Sequence, residues 1–213
     1  MYNPPHFQEE RIDVLHQLIR QHSLAALVTM GPAGLIANHV PLILDPEPAP
    51  LGTLRGHLSR MNPQWRDSLP QVSALAIFQG PSAYITPSWY PSREETGKVV
   101  PTYNYVVVHA HGPLETFEDP QLLLKNVRAL TELHEAAFAS RWSVDDAPAD
   151  FIQGQLKGIV GIQIPILRLE GKWKVSQNRI PADRQGVIDG LREAGDPESL
   201  AMAEWVSSRN RQQ

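Results

Sequence analysis

The 213-residue sequence contains no cysteine, and this absence removes several kinds of site at once. Without thiols the chain has no disulfide framework, no thiolate nucleophile and no cysteine-based zinc site. Long apolar runs are also missing. The longest apolar stretches have the length of a strand, so we expect no membrane span and no secretory leader. Together these absences are typical of a globular protein in a reducing compartment, and we expect a cytoplasmic location.

Positive charge is scarce as well. The 19 Lys and Arg residues are outnumbered by 23 Asp and Glu residues, which gives a formal net charge of −4. Proteins that bind nucleic acid through its phosphates normally have a net positive charge or a basic surface. DNA is therefore a partner that the charge does not support. The sequence also contains no P-loop, no G-x-G-x-x-G and no G-x-S-x-G, the best-known signatures of phosphate loops and hydrolases.

The hydrophobic pattern predicts about seven strands with mostly short connections and helices between groups of strands. This arrangement favours an antiparallel barrel with added helices, which places the fold in the mainly β, α+β class. Helix starts are predicted where a capping side chain precedes a proline, and the three helices should reach about Leu69, about Trp142 and through Trp205. The sites are Asn62-Pro63, Asp119-Pro120 and Asp196-Pro197. The strand-like runs include Val72–Gln79, Ser82–Thr86, Thr102–Phe117, Gly158–Leu169 and Lys172–Gln177.

Residues 80–105 are the most unusual stretch, because aromatic and small polar side chains alternate there between prolines. The aromatic residues are Tyr84, Trp89, Tyr90, Tyr103 and Tyr105. Planar groups beside fixed polar groups suit a flat ligand with a polar edge. The alternative is an aromatic-rich loop that covers the end of a sheet or a dimer seam.

A second polar stretch follows the predicted strand Thr53–Ser59. Alternation places Arg55, His57 and Ser59 on one face of this strand and apolar residues on the other. Arg60 and the Asn62-Pro63 helix start come directly after it, and cationic side chains beside a helix N-terminus favour a phosphate. An outward polar strand face with an ordinary cap is the alternative.

Two further patterns are weaker. The Lys172–Arg179 run alternates Lys172, Lys174, Ser176 and Asn178, which fits either ligand donors or a solvent-facing edge strand protected by lysines. His109 and His111 have a spacing that metals can use, but no third ligand lies near them in sequence. We predict no metal, and the sequence identifies no catalytic residue.

Four segments, GHLSRMNPQW, FQGPSAYITPSWYPS, VPTYNYVVVHAHG and KWKVSQNR, occur in an order that resembles the PaiB-type FMN-binding negative transcriptional regulators. The resemblance runs nearly end to end. It implies an FMN-binding split β-barrel, related to the pyridoxamine-phosphate-oxidase-like flavoproteins, and a homodimer with flavin at the subunit interface. We expect residues 1–180 to form this domain and residues 181–213 to form a C-terminal helical extension packed on it.

The same resemblance implies a set of FMN contacts. The phosphate and ribityl contacts would come from Arg55, His57, Ser59, Arg60 and Asn62. Hydrogen bonds to the edge of the isoalloxazine would come from Ser88, Trp89, Thr102 and Asn104. Further contacts, across the dimer, would come from Lys174, Gln177 and Asn178. Tyr103 departs from the family pattern, which more often has Trp, but stacking survives that exchange.

The function implied by the resemblance is negative transcriptional regulation, either direct or indirect. The terminal helix pair, Asp183–Glu193 and Pro197–Arg209, carries Arg184, Arg192, Arg209 and Arg211 but also several acidic residues, so it does not resemble a DNA-recognition element. One alternative is an FMN-dependent oxidoreductase of unknown substrate. Another is a non-catalytic module that binds flavin or haem, so the sequence leaves open whether the protein is an enzyme.

Overall fold

The computed structural model describes residues 1–210 of the chain. Ten strands lie within this part: β1 Gln8–Glu9, β2 Leu24–Gly31, β3 Gly34–Pro41, β4 Ile43–Asp45, β5 Thr53–Ser59, β6 Ala74–Ile85, β7 Thr102–Gly112, β8 Glu115–Phe117, β9 Ile159–Pro165 and β10 Arg168–Lys174. The same residues form seven α-helices: α1 Ile12–Gln21, α2 Gln64–Asp67, α3 Ser92–Thr96, α4 Pro120–Glu135, α5 Ala149–Leu156, α6 Pro181–Ala194 and α7 Pro197–Asn210. None of these helices combines the length and apolar character that a membrane span requires.

The chain divides into two compact units, each assembled from separate parts of the sequence. Unit 1 consists of residues 1–11, 79–108 and those from 170 onward, and unit 2 consists of residues 12–78 and 109–169. The predicted boundary at residue 180 stays a prediction, and Arg211, at the end of the predicted helical extension, lies outside the described residues.

Unit 2 contains the β2–β3 hairpin and a separate four-stranded antiparallel sheet. The hairpin pairs residues from Leu24↔Pro41 to Gly31↔Gly34, and Gly34 has a φ of 116° that favours glycine at the turn. The four-stranded sheet has the order β4-β5-β9-β8. Helix α4 packs on β5 and β9, and the apolar core includes the fully buried side chains of Leu54 and Ile162. Strand β5 is thereby held in the middle of a sheet with a helix over it.

Unit 1 has the strand order β1-β10-β7-β6, with helices α6 and α7 packed against each other. Its core is aromatic. Trp173 of β10 is fully buried and meets Trp205 of α7 edge to face, with the ring centroids 5.7 Å apart. Tyr90 is buried as well. The aromatic character of the sequence therefore serves packing in this unit to a large extent.

Several predicted elements have the expected boundaries, because local capping determines them. Asp119 accepts hydrogen bonds from the amides of Gln121 and Leu122, both at 2.9 Å, and Asp196 accepts one from the Ser199 amide at 3.0 Å. The helices predicted at Asp119-Pro120 and Asp196-Pro197 are thus confirmed, and both begin at the proline.

Other predicted boundaries are wrong. The strands predicted at Val72–Gln79 and Ser82–Thr86 form one strand, β6, whereas the run Thr102–Phe117 breaks into β7 and β8. The long helix α4 ends at Glu135 rather than near Trp142, because the Glu135 carboxylate accepts from the Trp142 amide at 2.9 Å as the chain folds back. Helix α5 was not predicted.

Candidate functional site

The polar face of β5 has the alternation that the sequence predicts. Leu54 and Leu58 are buried on one side, while Arg55 and His57 are half-buried and Ser59 is exposed on the other. The register opposite β9 joins Arg55 to Gln163, His57 to Gly161 and Ser59 to Ile159. The polar residues of β5 therefore lie in every second row of the four-stranded sheet, on the same face.

His57 and Ser59 open onto a cavity of about 410 Å³, which we call the His57 cavity. Its lining is largely polar and comes from unit 2: Asn38, His39, Val40, Pro41, His57, Leu58, Ser59, Asn62, Gln155, Gly158 and Ile159. The Nδ1 atom of His57 is buried and has no hydrogen-bond partner within residues 1–210. Burial lowers the pKa of His57 below its ordinary value of 6.5, because the charged imidazolium is poorly solvated there. His57 therefore lies on the cavity wall as a neutral imidazole, and its buried Nδ1 atom remains without a partner.

The helix start that was expected to complete a phosphate site is smaller than predicted. Helix α2 spans only Gln64–Asp67 rather than reaching Leu69. The Asn62 side chain accepts from the Gln64 amide at 3.0 Å and so occupies one of the amides that a ligand would use. The helix terminus therefore offers fewer free amides to an anion than predicted, and the assignment of Ser59 and Asn62 to FMN stays a prediction.

Arg60 is held by groups of its own unit. Its guanidinium donates to the backbone oxygens of Lys157 at 2.9 Å and Ile159 at 3.1 Å, and to the Glu118 carboxylate at 2.5 Å. These bonds tie the end of β5 to the start of β9. A phosphate at Arg60 would have to compete with Glu118, and the assignment of Arg60 to FMN stays a prediction.

Arg55 lines a different cavity, which we call the Asn126 cavity. It has a volume of about 370 Å³ and lies in unit 2. Its lining residues are Ile43, Asp45, Arg55, Phe117, Leu122, Lys125, Asn126, Ala129 and Gln163. Arg55 forms an ion pair with Asp45 there. The five residues predicted for the phosphate end are thus divided: His57, Ser59 and Asn62 share one cavity, Arg55 lines another and Arg60 joins two strands.

In unit 1 the predicted flavin-edge residues lie on β7 and on the short turn before α3. Trp89 packs against helix α6, where a Cβ on Gly190 would lie 2.3 Å from the indole ring. Ser88 is exposed, and its amide donates to the Thr86 hydroxyl at 3.2 Å. Asn104 is buried and donates to the Ser176 hydroxyl at 2.9 Å. Trp89 and Asn104 therefore already serve packing within the unit.

The other predicted contacts lie at the end of β10. Lys174 donates to the Thr102 hydroxyl and to the Tyr103 carbonyl, the latter at 2.7 Å. The Gln177 amide group closes the local turn by bonding the backbone of Trp173 and Val175, and Asn178 is exposed. The structure therefore brings Thr102 and Lys174 together. Two contacts with one FMN molecule would have to be close to each other in this way.

Lys172, Lys174 and Arg179 form a cationic cluster in unit 1. Lys172 is buried, with its ammonium 5.3 Å from the ring centroid of Tyr105, and Arg179 lies 4.4 Å from that of Tyr90. Within residues 1–210 these three cations form no ion pair with a carboxylate. Burial, followed by the positive charges of Lys172 and Arg179, lowers the pKa of Lys174. The cluster is suited to an anion or to carbonyl oxygens.

His109 and His111 are half-buried on β7, with ring centroids 6.4 Å apart. The Nδ1 atom of His111 is 3.2 Å from the Arg168 guanidinium. The two imidazoles lie near each other on β7, as their i, i+2 spacing predicts. The positive charge of Arg168 disfavours a metal cation at the Nδ1 atom of His111.

Two buried amides were missed by the sequence analysis. Gln64 is fully buried and donates to the Leu27 carbonyl at 3.1 Å and the Thr29 hydroxyl at 3.2 Å. Asn126 is 4% exposed and lies on the core-facing side of α4 between Leu123 and Leu130. Its position was readable, because the spacing 123, 126, 130 places a polar residue in an apolar helical stripe.

The sequence matches the model of a protein family described as "Putative FMN-binding domain" over residues 1–168. It is 32% identical to the protease synthase and sporulation protein PAI 2 of Bacillus subtilis over 213 residues, which is 100% of both chains. It is 34% identical to an uncharacterised protein of Emericella nidulans over 236 residues, covering 94% of each chain.

Solved structures with the same fold include flavoproteins. The FAD and heme binding protein of Mycobacterium smegmatis matches 78% of this chain and 73% of its own, with a TM-score of 0.57 and 13% identity. The flavocytochrome Anf3 of Azotobacter vinelandii matches 78% of this chain and 69% of its own, with a TM-score of 0.57 and 9% identity. These likenesses, with the antiparallel strand orders, confirm the predicted α+β split-barrel class.

Proposed function

The chain belongs to the FMN-binding domain family of the PaiB type, and from this premise we propose that it is a flavin-dependent negative regulator of transcription. In this proposal it acts indirectly, without binding DNA. The resemblance noted in the sequence is confirmed by the family match over residues 1–168 and by the full-length similarity to the Bacillus subtilis protein. The predicted cofactor, FMN, is confirmed by the same family match. The contact residues, the regulatory role and the dimer belong to the proposal.

The observation that carries the flavin assignment is the position of His57 on the wall of a polar cavity of about 410 Å³, together with its buried and unpartnered Nδ1 atom. A buried polar atom without a partner costs about 1–3 kcal/mol, so a ligand oxygen that bonds to this imidazole would be favoured. Ser59 and Asn62 add a hydroxyl and an amide on the same cavity wall. These groups fit a ribityl chain or a phosphate, and we assign that end of FMN to them.

The cationic cluster of unit 1 supports the other contacts. An oxygen acceptor near Lys174 would offset the burial, and the repulsion from Lys172 and Arg179, that together lower the Lys174 pKa. We therefore keep Thr102, Lys174, Gln177 and Asn178 as proposed contacts, together with Ser88, Trp89 and Asn104 of the same unit. When bound, FMN supplies one- and two-electron chemistry, while this chain binds and orients it.

Indirect regulation is supported by the terminal helices. Arg184 is 9% exposed, Arg192 pairs with Glu204, and Arg209 pairs with Glu9. The burial of Arg184 and the pairing of Arg209 with the buried Glu9 leave few free cations for phosphates, and the formal net charge is −4. The name of the Bacillus subtilis relative refers to protease synthesis and sporulation, and we propose a comparable regulatory role for this chain.

A homodimer is proposed on the basis of an exposed aromatic pair. Tyr84 and Tyr103 are 51% and 59% exposed, with ring centroids 5.6 Å apart. Exposed aromatic pairs are enriched in protein interfaces. We propose that this surface of unit 1 meets a second copy, and that the protein works in the cytoplasm.

The test is flavin binding by protein purified without added cofactor. Protein with the absorbance of an oxidised flavin, and FMN held at least about tenfold more tightly than riboflavin, would support a site that reads the phosphate. His57→Ala should weaken FMN binding by roughly tenfold, whereas His6→Ala, at an exposed histidine, should leave it unchanged. Unchanged FMN affinity in the His57 variant would refute the assignment.

The functional classes separate in three further measurements. Rapid reduction of the bound flavin by a nicotinamide cofactor would favour an oxidoreductase. Steeply salt-dependent binding to the protein's own upstream DNA would favour a direct regulator over the indirect one proposed. A stable flavin that no nicotinamide reduces, with no DNA binding and no regulatory phenotype on deletion, would favour a simple binding module.

A further inference from the structure

The Asn126 cavity lies between one row of the four-stranded sheet and helix α4. Ile43, Arg55 and Gln163 occupy neighbouring positions of β4, β5 and β9 in this row. Lys125 and Asn126 approach it from α4. The volume of about 370 Å³ is within the usual range for small-molecule pockets, which begins at roughly 300 Å³. The lining residues differ from those of the His57 cavity throughout.

Asn126 is the least expected residue in this cavity. The side chain is 4% exposed, and neither Nδ2 nor Oδ1 has a hydrogen-bond partner among residues 1–210. Both polar atoms of a buried amide group are nearly always hydrogen-bonded. The unbonded Nδ2 and Oδ1 atoms of Asn126 therefore suggest a partner from outside the chain. The Asn126 carboxamide thus holds an unused NH₂ donor group beside an unused oxygen acceptor.

The charges around Asn126 favour a ligand with one negative charge. Arg55 and Lys125 line the cavity together with a single carboxylate, Asp45. A hydrogen bond from the Glu47 amide, a bond from Arg55 and the charges of Arg55 and Lys125 lower the Asp45 pKa and outweigh the opposing effect of burial. With Asp45 ionised, the three charged lining residues sum to one positive charge. Glu115, which is outside the lining, accepts from Gln163 at 2.7 Å one strand further along the same row.

Apart from Gln163, the rest of the lining is apolar. Phe117 lies over Gly161, where a Cβ would be 2.2 Å from its ring, and Leu122 and Ala129 continue the apolar wall on α4. A ligand here needs an apolar body as well as its charge.

We propose that the Asn126 cavity binds a small organic carboxylate that also carries a hydroxyl or N–H donor. The carboxylate accepts from Lys125, Arg55 and Asn126 Nδ2. The ligand's own donor bonds to Asn126 Oδ1, and its apolar body contacts Phe117. The site is separate from the His57 cavity. Binding there would let the protein respond to a small organic acid.

Mandelate and phenylacetate are matched probes, because they differ only in a hydroxyl group, and benzylamine reverses the charge. We expect mandelate to bind the full-length protein at least about tenfold more tightly than the other two, as measured by calorimetry. Asn126→Leu should weaken mandelate binding by roughly tenfold, while Gln121→Leu, an exposed amide on the same helix, should not change it. Without ligand, Asn126→Leu should melt at a higher temperature than the wild type, because a buried unpaired amide is removed.

Three results would overturn the proposal. Mandelate affinity that is equal in the wild type and in Asn126→Leu would show that the amide does not bind the ligand. No binding of mandelate up to about 10 mM would exclude the ligand class at any useful affinity. Competition between FMN and mandelate, with loss of FMN binding in Asn126→Leu, would assign the cavity to the flavin site.

Discussion

The indole ring of Trp89 lies directly on the backbone of Gly190 in α6, where a Cβ would be 2.3 Å from the ring. One turn earlier, a Cβ on Gly186 would lie 1.9 Å from the carbonyl oxygen of Trp89. Two glycines four residues apart therefore form the surface on which the aromatic turn before α3 rests. A residue predicted from sequence as a flavin contact thus also joins α6 to the rest of unit 1.

Gly190→Ala should destabilise the protein, although alanine normally stabilises a helix. The added methyl group meets a rigid ring, and overpacking of this kind costs about 1–3 kcal/mol. Gly154→Ala in α5 is the matched control, because a Cβ there meets no atom within 4 Å. The control should gain up to about 1 kcal/mol from helix propensity. Urea unfolding of both variants measures the difference, and the same sign for both would contradict the packing argument.

Gln64→Glu should destabilise unit 2 by at least about 2 kcal/mol at neutral pH. The Gln64 amide donates to the Leu27 carbonyl and the Thr29 hydroxyl and accepts from Asn38, all in a fully buried position. A carboxylate of the same shape cannot donate and would be buried beside a carbonyl oxygen.

Gln153→Glu is the control for this change, because Gln153 is exposed on α5. It should alter the free energy of unfolding by less than about 0.5 kcal/mol. Equal effects at both positions would mean that the Gln64 bonds contribute nothing to stability.

Glu9 should make the protein sensitive to acid. Burial raises the pKa of this carboxyl, but hydrogen bonds from Arg11 and the charges of Arg209 and Arg11 outweigh it, so the pKa lies below its ordinary value of 4.5. A carboxyl with a lowered folded pKa contributes stability that is fully present above 4.5 and is lost as the pH falls through the folded value.

Glu9→Gln should therefore lower stability by about 1–3 kcal/mol at pH 7 and flatten the acid limb of the stability curve. Glu10→Gln, at the exposed neighbour, should leave both unchanged. Thermal unfolding between pH 3 and pH 7 measures these slopes. If stability falls equally steeply with decreasing pH in the wild type and in Glu9→Gln, then Glu9 is not the source of the acid sensitivity.

Local patterns predicted the parts of the fold that local chemistry determines. The caps at Asp119 and Asp196 and the alternation of β5 were readable, because each depends on residues within a few positions of one another. The family resemblance supplied the fold class and the cofactor. The hydrophobic pattern predicted neither the break between β7 and β8 nor the end of α4, where the Trp142 amide bonds back to Glu135.

The division of the polar residues of β5 between two cavities could not have been predicted. Arg55 and His57 share a strand face, but β9, which pairs with β5, is about a hundred residues away in the sequence. Asn126 and Phe117, which line the cavity that Arg55 meets, are also far from Arg55 in the sequence. An alternating pattern gives the direction of a side chain and says nothing about its distant neighbours.

His57 should give the flavin-free protein a second, milder dependence on pH. Its folded pKa lies below the ordinary value of 6.5 because burial disfavours the charged ring. Between those two values the unfolded chain binds more protons than the folded chain, so stability falls as the pH drops from 6.5 and levels off below the folded pKa. His57→Gln should reduce this dependence and leave the part that comes from His16, whose pKa burial also lowers. His39→Gln, at an exposed histidine of the same cavity, should keep all of it. Urea unfolding from pH 5 to pH 8 tests this, and a wild-type stability that stays flat across that window would show that the His57 ring is not desolvated.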